Sequence, residues 1–469
     1  MATAAISLAP VPSSPISEIA PLVQKLRTTF ESGKTKPLSW RREQLEALLR
    51  LASENGDELV SALQADLGKP ELEARVADIS QITIEAKLAL KNLKKWTRPQ
   101  RAGSIPLFGR SFLVHDPLGV VLIIAPWNYP VALLIAPLIG AIAAGNTVVL
   151  KPSEVTAHTS SLLTRLINKY MDSDAIAIVE GGVPETTALL EQRFDHILYT
   201  GNGTVAKVVM EAAAKHLTPV TLELGGKSPC IVDRTANIPV TARRIAWGKF
   251  LNAGQTCIAP DYILADQAIE QELIEELEKS IEQFYNGETE KNPDYTRIVN
   301  ERHHKRISHL IEGEDVAFGG SLNQEQCHIE PTVLRNVSPD APIMQTEIFG
   351  PVLPVLSVGH VDEAIDFINQ REKPLALYLF SSDSDAENQV LQSTSSGGAC
   401  INGTVMHIAN PKLPFGGVGP SGMGAYHGRY SFETFSHRKA VLRRSFRLDF
   451  KLMYPPYTEG RTRMLKKFL

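Results

Sequence analysis

Pro219-Val220-Thr221-Leu222-Glu223-Leu224-Gly225-Gly226-Lys227 and, further along the same stretch from Thr218 to Pro260, Phe250-Leu251-Asn252-Ala253-Gly254-Gln255-Thr256-Cys257 decide how this chain reads. The first segment is a β-branched run ending in a carboxylate and a glycine pair. That is the pattern of a strand that delivers a side chain to a cleft and then turns sharply. The second places one thiol in a loop after the helical run Ile238 to Phe250. A cysteine becomes a useful nucleophile when a base or electropositive surroundings favour its thiolate. A glutamate held nearby in a partly apolar cleft can serve as that base. Taken singly, the cysteine reads equally as a small core residue and the glutamate as a solvated turn. The pairing is what carries weight.

Outward from this stretch the chain alternates short apolar runs with helical segments. Strands are expected at Val120–Ile124, Thr147–Leu150, Ile176–Val179, His196–Tyr199 and Val220–Leu222, with helices near Val131–Ala144, Thr159–Lys169, Thr186–Glu191 and Val205–Lys215. Such alternation marks βαβ units and a mostly parallel sheet with buried strands. Sheets of that kind bind ligands at the carboxyl ends of their strands. Beyond Cys257 the pattern repeats. Tyr262–Ala265, Val352–Leu356, Ala376–Phe380 and Ala399–Ile401 are strand candidates, and Ala268–Phe284 and Arg302–Ile311 helical ones. Upstream, Ile19–Phe30, Trp40–Leu67 and Glu71–Trp96 show the three- and four-residue spacing of amphipathic helices, with Gly68-Lys69-Pro70 as the breaker. Gly103 to Pro117 alternates around a turn expected at Phe108-Gly109 and reads as a hairpin that must pack on something else.

Composition narrows the class. At 469 residues the chain implies two or three domains, and its 43% hydrophobic and 21% charged content is that of a soluble globular protein. A net charge of −4 gives no reason to expect nucleic-acid binding. Four cysteines without paired spacing (Cys230, Cys257, Cys327, Cys400) argue against a disulfide framework or a zinc site and for a reducing compartment. The lead-in Met1–Ser14 has neither a basic region nor a long apolar core, and Val131–Ala144 is too short to span a bilayer, so a cytoplasmic location is expected.

Four further motifs fall just after strand candidates. Pro126-Trp127-Asn128-Tyr129-Pro130 sets a carboxamide on a rigid turn, either as a fixed donor or as an Asx-turn residue. Lys151-Pro152-Ser153-Glu154 could be only a helix start. Thr200-Gly201-Asn202-Gly203-Thr204-Val205-Ala206 lets the backbone approach a phosphate ahead of a helix N-terminus, although no Gly-x-Gly-x-x-Gly fingerprint is present. Glu347-Ile348-Phe349-Gly350-Pro351 could be only a turn. Pro414 to Gly422 is glycine-rich and reads as structural. Asn300-Glu301-Arg302-His303-His304 is no metal site, because adjacent helical histidines face different ways.

Glu223-Leu224-Gly225-Gly226-Lys227 and Gly254-Gln255-Thr256-Cys257, with these motifs in order, resemble the signatures of the NAD(P)-dependent aldehyde dehydrogenase superfamily over roughly residues 20–460. Pro126–Pro130 and Tyr454-Pro455-Pro456-Tyr457 look like its class 3 and fatty aldehyde dehydrogenase branch. The resemblance implies an α/β fold with a Rossmann-type dinucleotide-binding domain (residues 1–102 and 118–224) and an α/β catalytic domain (225–435). It also implies a small β bridging, oligomerising element (103–117 and 436–450) and a C-terminal tail (451–469). It implies Cys257 as nucleophile, Glu223 as the base that activates water, and Asn128 as the oxyanion donor. Cofactor contacts are implied at Trp127, Lys151, Glu154, Gly201, Asn202, Glu347 and Phe349, with no metal. A carboxylate at Glu154 favours NAD, with NADP also accepted. Ala206 stands where the family usually has a second glycine, which bears on helix–cofactor packing.

Expected substrates are medium- or long-chain aliphatic or apolar unsaturated aldehydes, and a homodimer is expected. The basic, aromatic tail from Leu442 to Leu469 allows at most weak peripheral membrane contact. Three other readings stay open at this stage: a CoA-acylating dehydrogenase, a cysteine hydrolase, and a non-catalytic family member.

Overall fold

The computed structural model of the chain describes residues 13–105, 109–447, 449, 451 and 454–466. Most of the expected lead-in, the hairpin turn at Phe108 and the last three residues of the tail lie outside that set.

The first sheet has six strands in the order Gly422–Met423, Val220–Glu223, His196–Thr200, Val120–Ile124, Thr147–Lys151, Ile176–Ile178. All neighbours run parallel except the Gly422–Met423 edge, which pairs antiparallel with Glu223 and Leu222. The Val120–Ile124 run is fully apolar because both faces are covered. Val121 and Ile123 join the core beneath the helix Ala132–Ala144, while Val120, Leu122 and Ile124 join a second core with Ile19, Val23 and Leu26 of the helix Ile16–Glu31. Burying such a side chain contributes about 1.5–3 kcal/mol, so a run of five commits this strand to the sheet centre. Ala132–Ala144 is apolar on every side, as a helix enclosed by protein must be. It ends at Gly145, whose φ of +96° only glycine adopts freely.

The second sheet has seven strands, ordered Asp315–Phe318, Thr332–Arg335, Val352–Val358, Tyr262–Asp266, Pro229–Val232, Ala376–Phe380, Gly398–Ile401. It is parallel apart from its first pair. A three-stranded antiparallel sheet joins Gln100–Ile105, Gly109–Pro117 and Ser436–Arg443.

Three expectations change. The run Trp40–Leu67 is two helices, Leu38–Glu54 and Gly56–Leu67, because Asn55 sits at a non-helical φ of −125°. The run Glu71–Trp96 starts with one α-turn, Glu71–Glu73, widens into a π-helical segment, Ala74–Ile79, and becomes α-helical only from Ser80 to Thr97. The 225–435 stretch, expected as one catalytic unit, gives the Gly422–Met423 strand back to the first sheet, and Ser431 of its helix Gly428–Thr434 packs against Gly140 of Ala132–Ala144. Sheet membership therefore crosses the boundary expected between residues 224 and 225.

Candidate active site

The strand order of the first sheet reverses between Val120–Ile124 and His196–Thr200. Open parallel sheets bind ligands in the crevice outside such a reversal. Trp127 and Asn128 follow the first of these strands, Gly201 and Asn202 the second, and Lys151 ends the neighbour. The Gly201 N–H donates to the Glu223 carbonyl at 3.0 Å, which sets Glu223 at the same edge.

Cys257 reaches this edge through a sharp turn. After the helix Ile238–Phe250, Asn252 and Ala253 take left-handed φ values of 55° and 51°. That conformation costs a non-glycine residue roughly 1–2 kcal/mol, and here hydrogen bonds offset it. The Asn252 amide donates to the Asn128 carbonyl and the Gln255 carbonyl, each at 3.1 Å. Gln255 in turn donates to the Asn252 and Arg297 carbonyls and accepts from the Val299 N–H at 3.0 Å. Gly254 follows with φ +71°, and a side chain there would strike the Gly350 backbone. The Asn128 carboxamide donates to the Gln255 carbonyl at 3.0 Å, and the Tyr129 hydroxyl lies 2.7 Å from the Thr256 hydroxyl. The turn at 126–130 and the cysteine loop are thus one hydrogen-bonded unit.

Around the half-buried thiol the electrostatics are acidic. Burial, then the carboxylates of Glu347 and Glu223, push Cys257 up to about 12. Glu223 is 2% exposed, neither of its carboxylate oxygens has a hydrogen-bond partner, and burial holds its pKa well above the ordinary value. Glu347 is pushed up to about 8, chiefly by burial and then by Asp261. Its carboxylate lies where a side chain on Gly225 would stand, which is why this turn needs glycine. At neutral pH the arrangement therefore holds a thiol, not a thiolate, beside a Glu347 carboxyl that is mostly protonated and a Glu223 carboxyl whose ionisation burial opposes.

Trp127 lies edge-on to Phe349, with ring centroids 5.4 Å apart, and also packs against His303 at 5.0 Å. Arg306 donates to the Ile348 carbonyl at 2.6 Å and fixes the 347–351 turn. The structure thus brings Cys257, Glu223, Asn128, Trp127, Glu347 and Phe349 into one neighbourhood. Lys151 and Glu154 stand further along the sheet edge. Lys151 is buried, donates to the Pro152 carbonyl at 2.7 Å and lies 3.7 Å from the half-exposed Glu154 carboxylate. Sequence reasoning set His303 aside as a non-ligand and did not single out Tyr426. Burial raises Tyr426 well above the usual phenol range, and the charges of Glu223 and Cys257 reach it. Neither residue has a local signal, since its place beside the site comes from contacts formed by distant segments.

These residues fit a dinucleotide. The Asn202 side chain caps the helix Gly203–Ala214 by accepting from the Val205 N–H. Earlier N–H groups of a first turn have no partner within their own helix and suit an anion. Open space surrounds Gly203, with no atom within 4 Å of where a side chain would begin. Among the described residues no cluster of His, Cys, Asp or Glu is arranged to hold a metal ion, and no helix is long and apolar enough to cross a membrane.

Comparison with known proteins agrees with this geometry. The profile described as Aldehyde dehydrogenase family matches residues 5–441. The chain is 50% identical to the Mus musculus aldehyde dehydrogenase family 3 member A2, over 95% of this chain and 93% of that protein. It is 52% identical to the Mus musculus protein named aldehyde dehydrogenase, dimeric NADP-preferring, over 94% of this chain and 98% of that one. Among solved structures, the substrate-bound state of Staphylococcus aureus AldH superposes with a TM-score of 0.94 at 46% identity, covering 96% of this chain and 99% of that one.

Proposed function

This chain belongs to the aldehyde dehydrogenase family, and from that premise we propose that it oxidises apolar medium- or long-chain aldehydes through a thioester on Cys257. The reaction class is aldehyde plus water to carboxylic acid, with reduction of NAD(P). The chemistry the dinucleotide supplies when bound is a hydride acceptor.

The chain's own residues divide the remaining work. The Cys257 thiol gives up its proton, relayed to solvent by Glu223, as its sulfur attacks the aldehyde carbon. Asn128 and the Cys257 backbone N–H donate to the oxygen that gains charge, a preorganised arrangement that needs no rearrangement as charge develops. Loss of the hydride leaves an acyl group on sulfur, and Glu223 takes a proton from the water that hydrolyses it. Splitting one difficult step into two is the gain from covalent catalysis. Glu347, Phe349 and Trp127 would hold the nicotinamide end, and Lys151 with Glu154 the adenosine ribose. Gly201 and Asn202 would meet the phosphates. The Glu154 carboxylate favours a free ribose 2′-hydroxyl, which supports NAD over NADP.

The observation that carries this reading is the hydrogen-bonded unit of Asn128 with the Cys257 loop, set beside an unpartnered Glu223. The apolar substrate rests on the branch likeness and on the aromatic surroundings, with Phe415 against Tyr426 at 5.9 Å. A homodimer fits the relative named dimeric and the exposed Ser436–Arg443 strand at the rim of the small sheet. Four unpaired cysteines support a reducing, cytoplasmic setting.

NADH formation across saturated aldehydes of increasing chain length, benzaldehyde and an apolar polyenal tests the substrate. Catalytic efficiency should rise with apolar length. Equal efficiency for acetaldehyde and long-chain substrates would overturn the apolar assignment. A requirement for CoA would move the chain to the acylating class.

A further inference from the structure

Among the described residues, Lys69 and Asp78 are the most deeply buried ion pair outside the site just described. Both are fully buried, and the ammonium donates to the carboxylate at 2.7 Å. Breaking water contact with two charges is expensive, and a buried pair of this kind often stabilises a fold no better than apolar residues of the same volume. Its presence calls for a reason other than stability.

The remaining contacts supply one. Lys69 donates a second hydrogen bond, at 2.9 Å, to the backbone carbonyl of Asn128, and its nitrogen stands 4.1 Å from the centre of the Tyr129 ring. An ammonium has three N–H groups, and this one faces a carboxylate, a carbonyl and an aromatic face. The other Asp78 oxygen accepts from the Ala132 N–H at 3.1 Å, at the start of the helix that follows the Asn128 turn. The pair therefore grips the segment from Asn128 to Ala132 at both ends. Asp78 reaches it because it sits in the π-helical segment Ala74–Ile79, where the widened turn changes which side chains face inward. Glu73, just before that segment, accepts from the Asn252 N–H at 3.1 Å, so the same element also touches the turn leading to Cys257.

We propose that Lys69 and Asp78 are positioning residues that fix the Asn128 peptide, so that its carboxamide meets the oxyanion at Cys257. The proposal rests on the assignment of Asn128 as oxyanion donor. An error on the order of 1 Å in such a group can cost about 100-fold in rate, so a rigid support has a large lever.

The test is a cycle among three variants of the full-length enzyme: Asn128→Ala, the double variant Lys69→Met/Asp78→Leu, and all three changes together. The double variant removes the pair without stranding a lone charge. NAD binding by fluorescence titration and the thermal midpoint report folding apart from turnover. The expected result is a kcat roughly 10-fold or more below wild type for the double variant, with NAD affinity and KM little changed. Combined with Asn128→Ala, it should lower kcat no further than Asn128→Ala alone, because both act through one group. Restoring the carboxylate as Asp78→Glu, with Lys69 in place, should recover most of the rate.

Wild-type kcat in the double variant, or losses that multiply in the triple variant, would overturn the proposal while leaving the oxyanion assignment standing. An Asn128→Ala enzyme with normal kcat would overturn both. If the double variant fails to fold, Asp78→Asn takes its place in the cycle and is held to the same two outcomes.

Discussion

The Asn128 carboxamide donates to the Gln255 carbonyl at 3.0 Å, across 127 residues of sequence and two residues before Cys257. A carboxamide nitrogen carries two N–H groups. One holds the cysteine loop, and the second is the one proposed to meet the oxyanion. Asn128→Ala should lower kcat about 100-fold or more with a small change in KM, the pattern of an interaction made in the transition state. Steady-state kinetics with one good substrate checks it. A change confined to KM would mean that Asn128 binds ground-state substrate instead.

The thiol makes a prediction about pH. Burial and neighbouring carboxylates push Cys257 up to about 12, and Glu347 ionises at about 8. Cofactor-free enzyme should therefore alkylate slowly with iodoacetamide at neutral pH. Glu347→Gln removes the neighbouring charge that most opposes the thiolate, which exists only when Glu347 is ionised. Variant and wild type should coincide well below pH 8, and the variant should react faster above it. Coincidence across the whole range would separate Glu347 from the thiol.

Glu85 gives a stability prediction. It is 2% exposed, and burial pushes its pKa up to about 7, although the Gly428 N–H donates to it at 2.9 Å. An acid whose folded pKa lies above its unfolded one binds more protons when folded. Its contribution is intact below about pH 4.5 and is lost as pH rises towards 7. Glu85→Gln should gain stability relative to wild type between acid and mildly alkaline pH, by at most about 3 kcal/mol. Denaturant melts at the two ends of that window decide it, and a pH-independent difference would show that the carboxyl does not titrate there.

In the proposed reading cofactor choice turns on Glu154, half-exposed beside Lys151 at the sheet edge. Replacing it as Glu154→Gln removes the charge that opposes a 2′-phosphate. The ratio of kcat/KM for NADP over NAD should rise by about 10-fold, a change of roughly 1.4 kcal/mol in discrimination. An unchanged ratio would place the ribose elsewhere.

Much of the sheet was legible because buried parallel strands are local events. The Val120–Ile124 and Thr147–Lys151 runs are apolar throughout and end in turn motifs, so a reader of the sequence finds both strand and cleft edge. Asn128, Glu223, Cys257 and Glu347 were legible only through the family resemblance of the motifs that carry them, since each read singly as a core residue, a strand end or an ordinary turn. What escaped depends on partners far away in sequence. Gly422–Met423 is a strand only because Glu223 and Leu222 lie beside it, and Lys69 reads as part of a helix breaker until the Asn128 carbonyl arrives. The π-helical segment Ala74–Ile79 keeps a helical composition, so no periodicity argument separates it from the α-helix that follows.

The central claim is an acyl group carried on Cys257 and released by water that Glu223 activates. Glu223→Gln enzyme, mixed with NAD and a long-chain aldehyde and acid-quenched, would be measured as intact protein by mass spectrometry. The account predicts near-stoichiometric addition of one acyl group, mapped to Cys257, after a single burst of NADH, with no addition when Cys257→Ala is combined with it. Steady turnover at the wild-type rate with no covalent adduct would contradict it.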